Sequence, residues 1–120
     1  MKKAKNSPTK EQEEFFWSRI AHYQKKLNLL DWRIEPSGKP ASKGAMADVG
    51  ISLEDRLAVV SLGNDWAAMP INERTLNETA CHEVLHIYLT PFKIACFSRD
   101  ESHIDALEHS LIVVLEKLLA

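Results

Sequence analysis

The sequence predicts an α+β domain in which an N-terminal helix is followed by a three-stranded, mainly antiparallel sheet and then by two further helices. Two observations predict this order. Apolar residues recur every three to four positions near both ends of the chain, whereas over 47–53 they alternate with polar or small residues. The 120 residues are 45% hydrophobic, which is enough for one core. We therefore expect a flexible basic tail at 1–8 and a single domain at 9–120.

The first helix is predicted over about 10–29. Thr9 and Gln12 have the spacing of a capping box, in which Thr9 is the N-cap. From Phe16 to Leu27 the apolar residues follow one another at intervals of four, three and four, which is the spacing of one helical face.

Three strands are expected in the middle of the chain. Trp32 and Ile34 alternate with charged residues, which indicates a short strand, and the Pro-, Gly- and Ser-rich stretch 36–44 is a loop. The alternating residues 47–53 and the Val- and Leu-rich run 56–62 are joined by a tight polar connection. These two strands should therefore form a hairpin.

Two helices should follow the sheet. Asn72 is a suitable N-cap for the first of them, which should end at Thr90 because Pro91 has no backbone N–H to donate. The last helix is predicted from about Arg99 to Leu119, since apolar residues recur along it at helical spacing.

The run His82-Glu83-Val84-Leu85-His86 lies inside the first of these two helices and carries the chemistry. Residues four apart share one helical face, so the imidazoles of His82 and His86 can bind one Zn²⁺ ion. Glu83 is then placed to act as general base on the water molecule that attacks a substrate carbonyl. A chance match and a degenerate site that no longer works are the alternatives.

A zinc site needs a third protein ligand, and the acidic and histidine residues of the last helix are the candidates: Glu101, His103, Asp105, Glu108 and His109. On a helical projection Glu101 and Glu108 lie within about 50–70° of the centre of the apolar face, whereas His103 lies about 90° and His109 about 150° away. A carboxylate beside an apolar face needs a counter-charge, so the two glutamates rank above the histidines. Glu101 is preferred because it lies in the first turn, and because Asp105 could accept the N–H of a ligating histidine. Glu108 is the alternative.

Three segments resemble the zincin metallopeptidases, and among them the small gluzincin-like metallopeptidases that occur in phages and prophages. Residues 79–89 resemble the HExxH helix of that family, 100–107 resemble its final helix with an acidic start, and 31–34 resemble its first strand. The resemblance implies a minimal zincin-like domain that hydrolyses peptide bonds.

In such a domain we expect Zn²⁺ to be bound by His82, His86 and Glu101, with Glu83 as general base. The resemblance also implies an edge strand beside the cleft. The strand at 56–62 is expected to be that edge, to which an extended peptide substrate could add by backbone pairing. A hydrogen-bond donor to the transition state is also expected, and the candidates are Tyr88, Arg99, His103 and His109. Of these, His103 is preferred.

Composition limits the partners and the location. A net charge of −2 creates no field that attracts nucleic acid or an anionic membrane. No apolar run is long enough to span a bilayer, and no signal-peptide core follows the basic start. We therefore expect a cytoplasmic protein that acts on a peptide or protein substrate. A regulatory protease for one partner such as a repressor, and an inactive binding module, are the alternatives to a general peptidase.

Overall fold

The computed structural model describes residues 5–96 and 101–120, apart from the side chains of residues 95, 101–103 and 107. Its elements are, in order, α1 (Lys10–Lys26), β1 (Arg33–Pro36), β2 (Ala47–Ser52), β3 (Leu57–Leu62), α2 (Glu73–Ala95) and α3 (Glu101–Leu119). This order confirms the predicted α+β class. Within the described ranges, none of the helices combines the length and the apolar character needed to cross a membrane.

The start of α1 is fixed by the predicted capping box. The backbone N–H of Gln12 donates to Oγ1 of Thr9 at 3.1 Å, and the backbone N–H of Thr9 donates to Oε1 of Gln12 at 2.8 Å. The helix ends at Lys26, three residues before the predicted end, and Leu27 is its C-cap. Asn28 has a φ of 56°, in the left-handed region, so a right-handed helix cannot continue through it.

The sheet has the strand order β1-β3-β2. β2 and β3 form the predicted antiparallel hairpin, with Ala47 opposite Leu62, and β1 pairs in parallel with the other side of β3. The strand predicted at 56–62 is therefore central, and the expectation that it forms the edge of the cleft was wrong. A hairpin fixes only one neighbour of each strand, and the Val- and Leu-rich run of β3 suits the most covered position in the sheet. The strand that faces α2 is β2.

Helix α2 begins after Asn72 as predicted, because the side chains of Asn72 and Thr75 each accept a hydrogen bond from the other's backbone N–H. The predicted end at Thr90 was wrong, since the helix continues through Pro91 to Ala95. Proline removes one helical hydrogen bond without forbidding helical dihedral angles on either side. The extra turn contacts α3, since Nζ of Lys93 lies 2.9 Å from the carboxylate of Asp105.

Helix α2 is the centre of the domain. α1 and α3 pack against it, and β2 lies alongside it. Its residues Val84, Leu85 and Ile87 are all fully buried although they point in different directions around the helix axis. Because α2 is covered on several sides, some of its polar residues are buried as well. The His-Glu-x-x-His segment therefore lies in an environment of low polarity.

Part of the predicted tail is attached to the domain. The side-chain amide of Asn6 donates to the carbonyls of Ala67 and Met69, and the hydroxyl of Ser7 donates to the carbonyl of Asn64. The backbone N–H of Trp66 donates in turn to the carbonyl of Asn6 at 2.8 Å. Residues 6 and 7 thus hold the connection between β3 and α2.

Candidate metal centre

The two motif histidines meet at their Nε2 atoms. α2 places His82 and His86 one turn apart on the same face, and their Nε2 atoms are 3.2 Å from each other. Both side chains are half-buried, with exposed fractions of 29% and 20%. The two imidazoles therefore lie on one face of α2, as the four-residue spacing predicts.

Helix α3 supplies a carboxylate to the other nitrogen of each ring. Oε1 of Glu116 lies 2.5 Å from Nδ1 of His82, and Oε1 of Glu108 lies 3.3 Å from Nδ1 of His86. Ionised carboxylates only accept hydrogen bonds, so they favour the tautomers in which Nδ1 carries the proton. The Nε2 atoms are then left with free lone pairs, which is the form in which an imidazole binds a metal ion.

Two lone pairs that face each other at 3.2 Å repel, and either a shared proton or a metal ion relieves the repulsion. Two nitrogen ligands of a tetrahedral zinc ion, with bonds of about 2.0–2.1 Å, lie about 3.3 Å apart. The spacing of the two rings fits that requirement. Burial lowers the pKa of His86, as do the neighbouring His82 and His109, while Glu108 acts in the opposite direction. A lowered pKa keeps this ring neutral and available as a ligand.

A third histidine completes the cluster. The ring centroid of His109, on α3, lies 5.6 Å from that of His82 and 5.5 Å from that of His86. One ligand nitrogen from each of the three rings lies within 4.8 Å of the others. Three imidazoles form a donor set that zinc accepts, with the fourth position open.

The structure treats three of the candidates for the third ligand differently. The side chain of Glu101 lies outside the described residues, so its role stays a prediction. Glu108, the alternative, is 4% exposed and faces Nδ1 of His86 rather than the Nε2 atoms. His109, ranked last by the helical projection, is the residue that joins the motif pair. The helical projection ranked residues by their angle from the apolar face of α3. The metal centre lies beside that face, where α3 meets the polar side chains of α2.

The acceptor Glu116 was missed by the sequence reasoning. Glu108 and Glu116 are eight residues apart and so lie about 80° apart around α3, within one broad face of the helix. That spacing, on a helix that runs antiparallel to one bearing two histidines, is the signal that could have found both acceptors. Of the other donor candidates, Tyr88 is 46% exposed on α2, and Arg99 and the side chain of His103 lie outside the described residues.

Glu83 lies beside the histidines with an unusual environment for a carboxyl group. It is 5% exposed, and its Oε2 has no hydrogen-bond partner among the described residues. Burial raises the pKa of Glu83 to about 7, and the carboxylates of Asp48 and Glu116 contribute to the increase. A carboxyl group with a pKa near the working pH is suited to accept and return a proton.

Two cavities of about 670 Å³ each meet at this centre, and His82, Glu83 and Ala47 line both of them. One extends along the first half of α2 towards residues 66–69. The other extends between β2 and the facing parts of α2 and α3. The centre therefore lies where the two cavities join in one open cleft, and β2 borders mainly the cavity between α2 and α3.

Comparisons of the chain with protein-family models, with curated proteins and with solved structures gave no match. The geometry of the cleft and its side chains is therefore what supports a functional conclusion.

Proposed function

We propose that this chain is a zinc-dependent metallopeptidase with His82, His86 and His109 as metal ligands and Glu83 as general base. The observation that carries the proposal is the pair of facing Nε2 atoms at 3.2 Å, with a carboxylate at each Nδ1. This arrangement leaves both rings ready to bind a cation, next to a buried carboxyl group. The ligand predicted from the sequence, Glu101, is the competing third ligand.

The chemistry then divides between the ion and Glu83. Zinc, when bound, would polarise the scissile carbonyl and stabilise the negative charge that develops on its oxygen. Glu83 takes a proton from the attacking water and passes it to the nitrogen of the leaving amine as the peptide bond breaks. Without a metal ion, burial raises the pKa of Glu83 to about 7; a bound cation would lower this pKa, so that Glu83 is ionised and can accept the proton.

The substrate path follows β2. This strand pairs with β3 on one side and, among the described strands, with none on the other. Its residues Asp48, Val49 and Ile51 line the cleft beside the metal ligands. An extended peptide added to this edge would pass the centre, so a peptide or protein is the expected substrate. The cytoplasm as the place of action is part of this proposal.

Glu83 favours an enzyme over a structural zinc site. A structural site closes with four protein ligands and gains nothing from a buried carboxyl group. Burying such a group without a hydrogen-bond partner for one oxygen costs stability, which a catalytic role would explain.

The test combines metal content with hydrolysis. Zinc is measured by elemental analysis in tag-free protein and in His109→Ala, Glu101→Ala and Glu83→Gln, and cleavage of a denatured protein substrate is followed in parallel. We expect one zinc per chain, lost in His109→Ala and kept in Glu101→Ala. Glu83→Gln should keep its zinc and lose hydrolysis. Failure to take up zinc after incubation with the metal would refute the proposal and favour a binding module.

A further inference from the structure

The cavity beside Glu83 that extends towards residues 66–69 has a wall unlike the rest of the cleft. Met46, Trp66 and Met69 form its apolar surface. Trp66 is 3% exposed, whereas Met69 is 44% exposed and lies at the rim. Its volume of about 670 Å³ is within the range of ligand pockets, about 300–1,000 Å³.

The hydroxyl groups in this wall are already engaged. The hydroxyl of Thr79 donates to the carbonyl of Thr75 at 2.7 Å, and that of Thr75 donates to the carbonyl of Pro70 at 2.9 Å. Neither proton is available to a ligand. The charged groups that line the cavity are carboxylates, Glu83 and Glu116 at the metal centre and Glu78 further along α2. The cavity thus favours an apolar occupant and disfavours an anionic one.

The N-terminal segment holds this wall in place. The side-chain amide of Asn6 donates to the carbonyl of Ala67 at 3.0 Å and to that of Met69 at 2.7 Å. Ala67 has a φ of 53°, a backbone conformation that an alanine rarely adopts without support. The wall is therefore formed before a ligand arrives, which lowers the entropic cost of binding.

We propose that this cavity receives the side chain next to the scissile bond and selects a large apolar residue, such as leucine or phenylalanine, over glycine and aspartate. The inference rests on the proposed function, because it places the scissile bond at the metal centre. Burying such a side chain corresponds to a preference of about 10- to 100-fold over glycine.

The test uses three hydroxamates that differ only in their side chain, those of leucine, glycine and aspartate, titrated into zinc-loaded protein by calorimetry. We expect the leucine compound to bind about 10- to 100-fold more tightly than the glycine compound, and the aspartate compound to bind most weakly. The leucine compound should also change the tryptophan emission of the wild type, and not that of Trp66→Phe.

A charge placed on the rim tests the position of the cavity. Met69→Lys should improve binding of the aspartate compound relative to the leucine compound. Leu30→Lys is the matched control, because Leu30 is 67% exposed and lines neither cavity of the cleft. Equal changes in both variants would overturn the inference.

The two proposals fail in different ways. Equal affinity for the leucine and glycine compounds, with zinc bound and hydroxamates binding, would overturn the inference and leave the metallopeptidase proposal standing. Absence of zinc together with absence of hydroxamate binding would refute both.

Discussion

Replacement of Glu83 by Gln tests the buried environment of the proposed general base. Glu83 is 5% exposed, and burial is the main reason why its pKa rises from the ordinary value of 4.5 to about 7. The unfolded chain keeps the ordinary value, so between these two pH values the folded protein binds more protons than the unfolded chain. The stabilisation from protonated Glu83 is complete below about pH 4.5 and is lost as the pH rises through 7.

The size of the effect follows from the two pKa values. The difference between about 7 in the folded protein and 4.5 in the unfolded chain converts to about 3 kcal/mol of unfolding free energy. Glutamine has the same shape and does not ionise. The metal-free Glu83→Gln protein should therefore be more stable than the metal-free wild type by up to about 3 kcal/mol above pH 7, and nearly equal to it below pH 4.5.

Urea denaturation in the presence of a chelator, followed by circular dichroism at several pH values, measures this difference. Zinc-loaded protein provides the control, because a bound cation stabilises the Glu83 carboxylate and should reduce the advantage of the variant. A stability difference that is the same at every pH would refute the raised pKa. It would show that Glu83 is not in the low-polarity environment that the structure gives it.

Three further outcomes are expected. Glu116→Gln weakens the acceptor at the first motif histidine and should lower zinc affinity about 10- to 100-fold in competition with a chelator, without loss of the fold. Asn6→Ala removes two hydrogen bonds to the 66–69 segment and should cost about 1–2 kcal/mol in urea denaturation, whereas Lys5→Ala beside it should cost little. Val60→Ala should lower the free energy of unfolding by about 2 kcal/mol, because Val60 is fully buried in the central strand. Val49→Ala, at the residue paired with Val60, should lower it clearly less, because Val49 is half-buried in an edge strand. Equal losses would contradict the strand order.

The features of the fold that could be predicted are those decided by neighbours along the chain. Thr9 and Asn72 begin their helices as predicted because a cap depends only on the next three residues. The hairpin of β2 and β3 was equally local. The position of β1 on the far side of β3 was not, because no residue pattern states which side of a strand a distant segment will join. The end of α2 at Pro91 was mispredicted for a related reason, since no local pattern shows that the turn after Pro91 contacts α3 through Lys93 and Asp105.

The candidate site divides in the same way. His82, Glu83 and His86 are placed by one helix, and their spacing in the sequence is sufficient to bring the two imidazoles together. His109 and Glu116 reach them only because α3 packs antiparallel to α2 at one particular register. A projection of α3 alone measures its own apolar face and carries no information on where the partner helix presents polar groups. Ranking by distance from that face therefore placed His109 last.

Burial of α2 links the fold to the chemistry. It raises the pKa of Glu83 and lowers that of His86, so it drives both groups towards their neutral forms near pH 7. A neutral imidazole is a metal ligand, whereas a neutral carboxyl group is no base until a positive charge arrives. Cation binding would lower the pKa of Glu83 and restore its negative charge at the place where a proton must be accepted. In the proposed metallopeptidase, the central position of α2 would couple metal binding to the activation of Glu83, so a substitution that exposes this helix should impair both together.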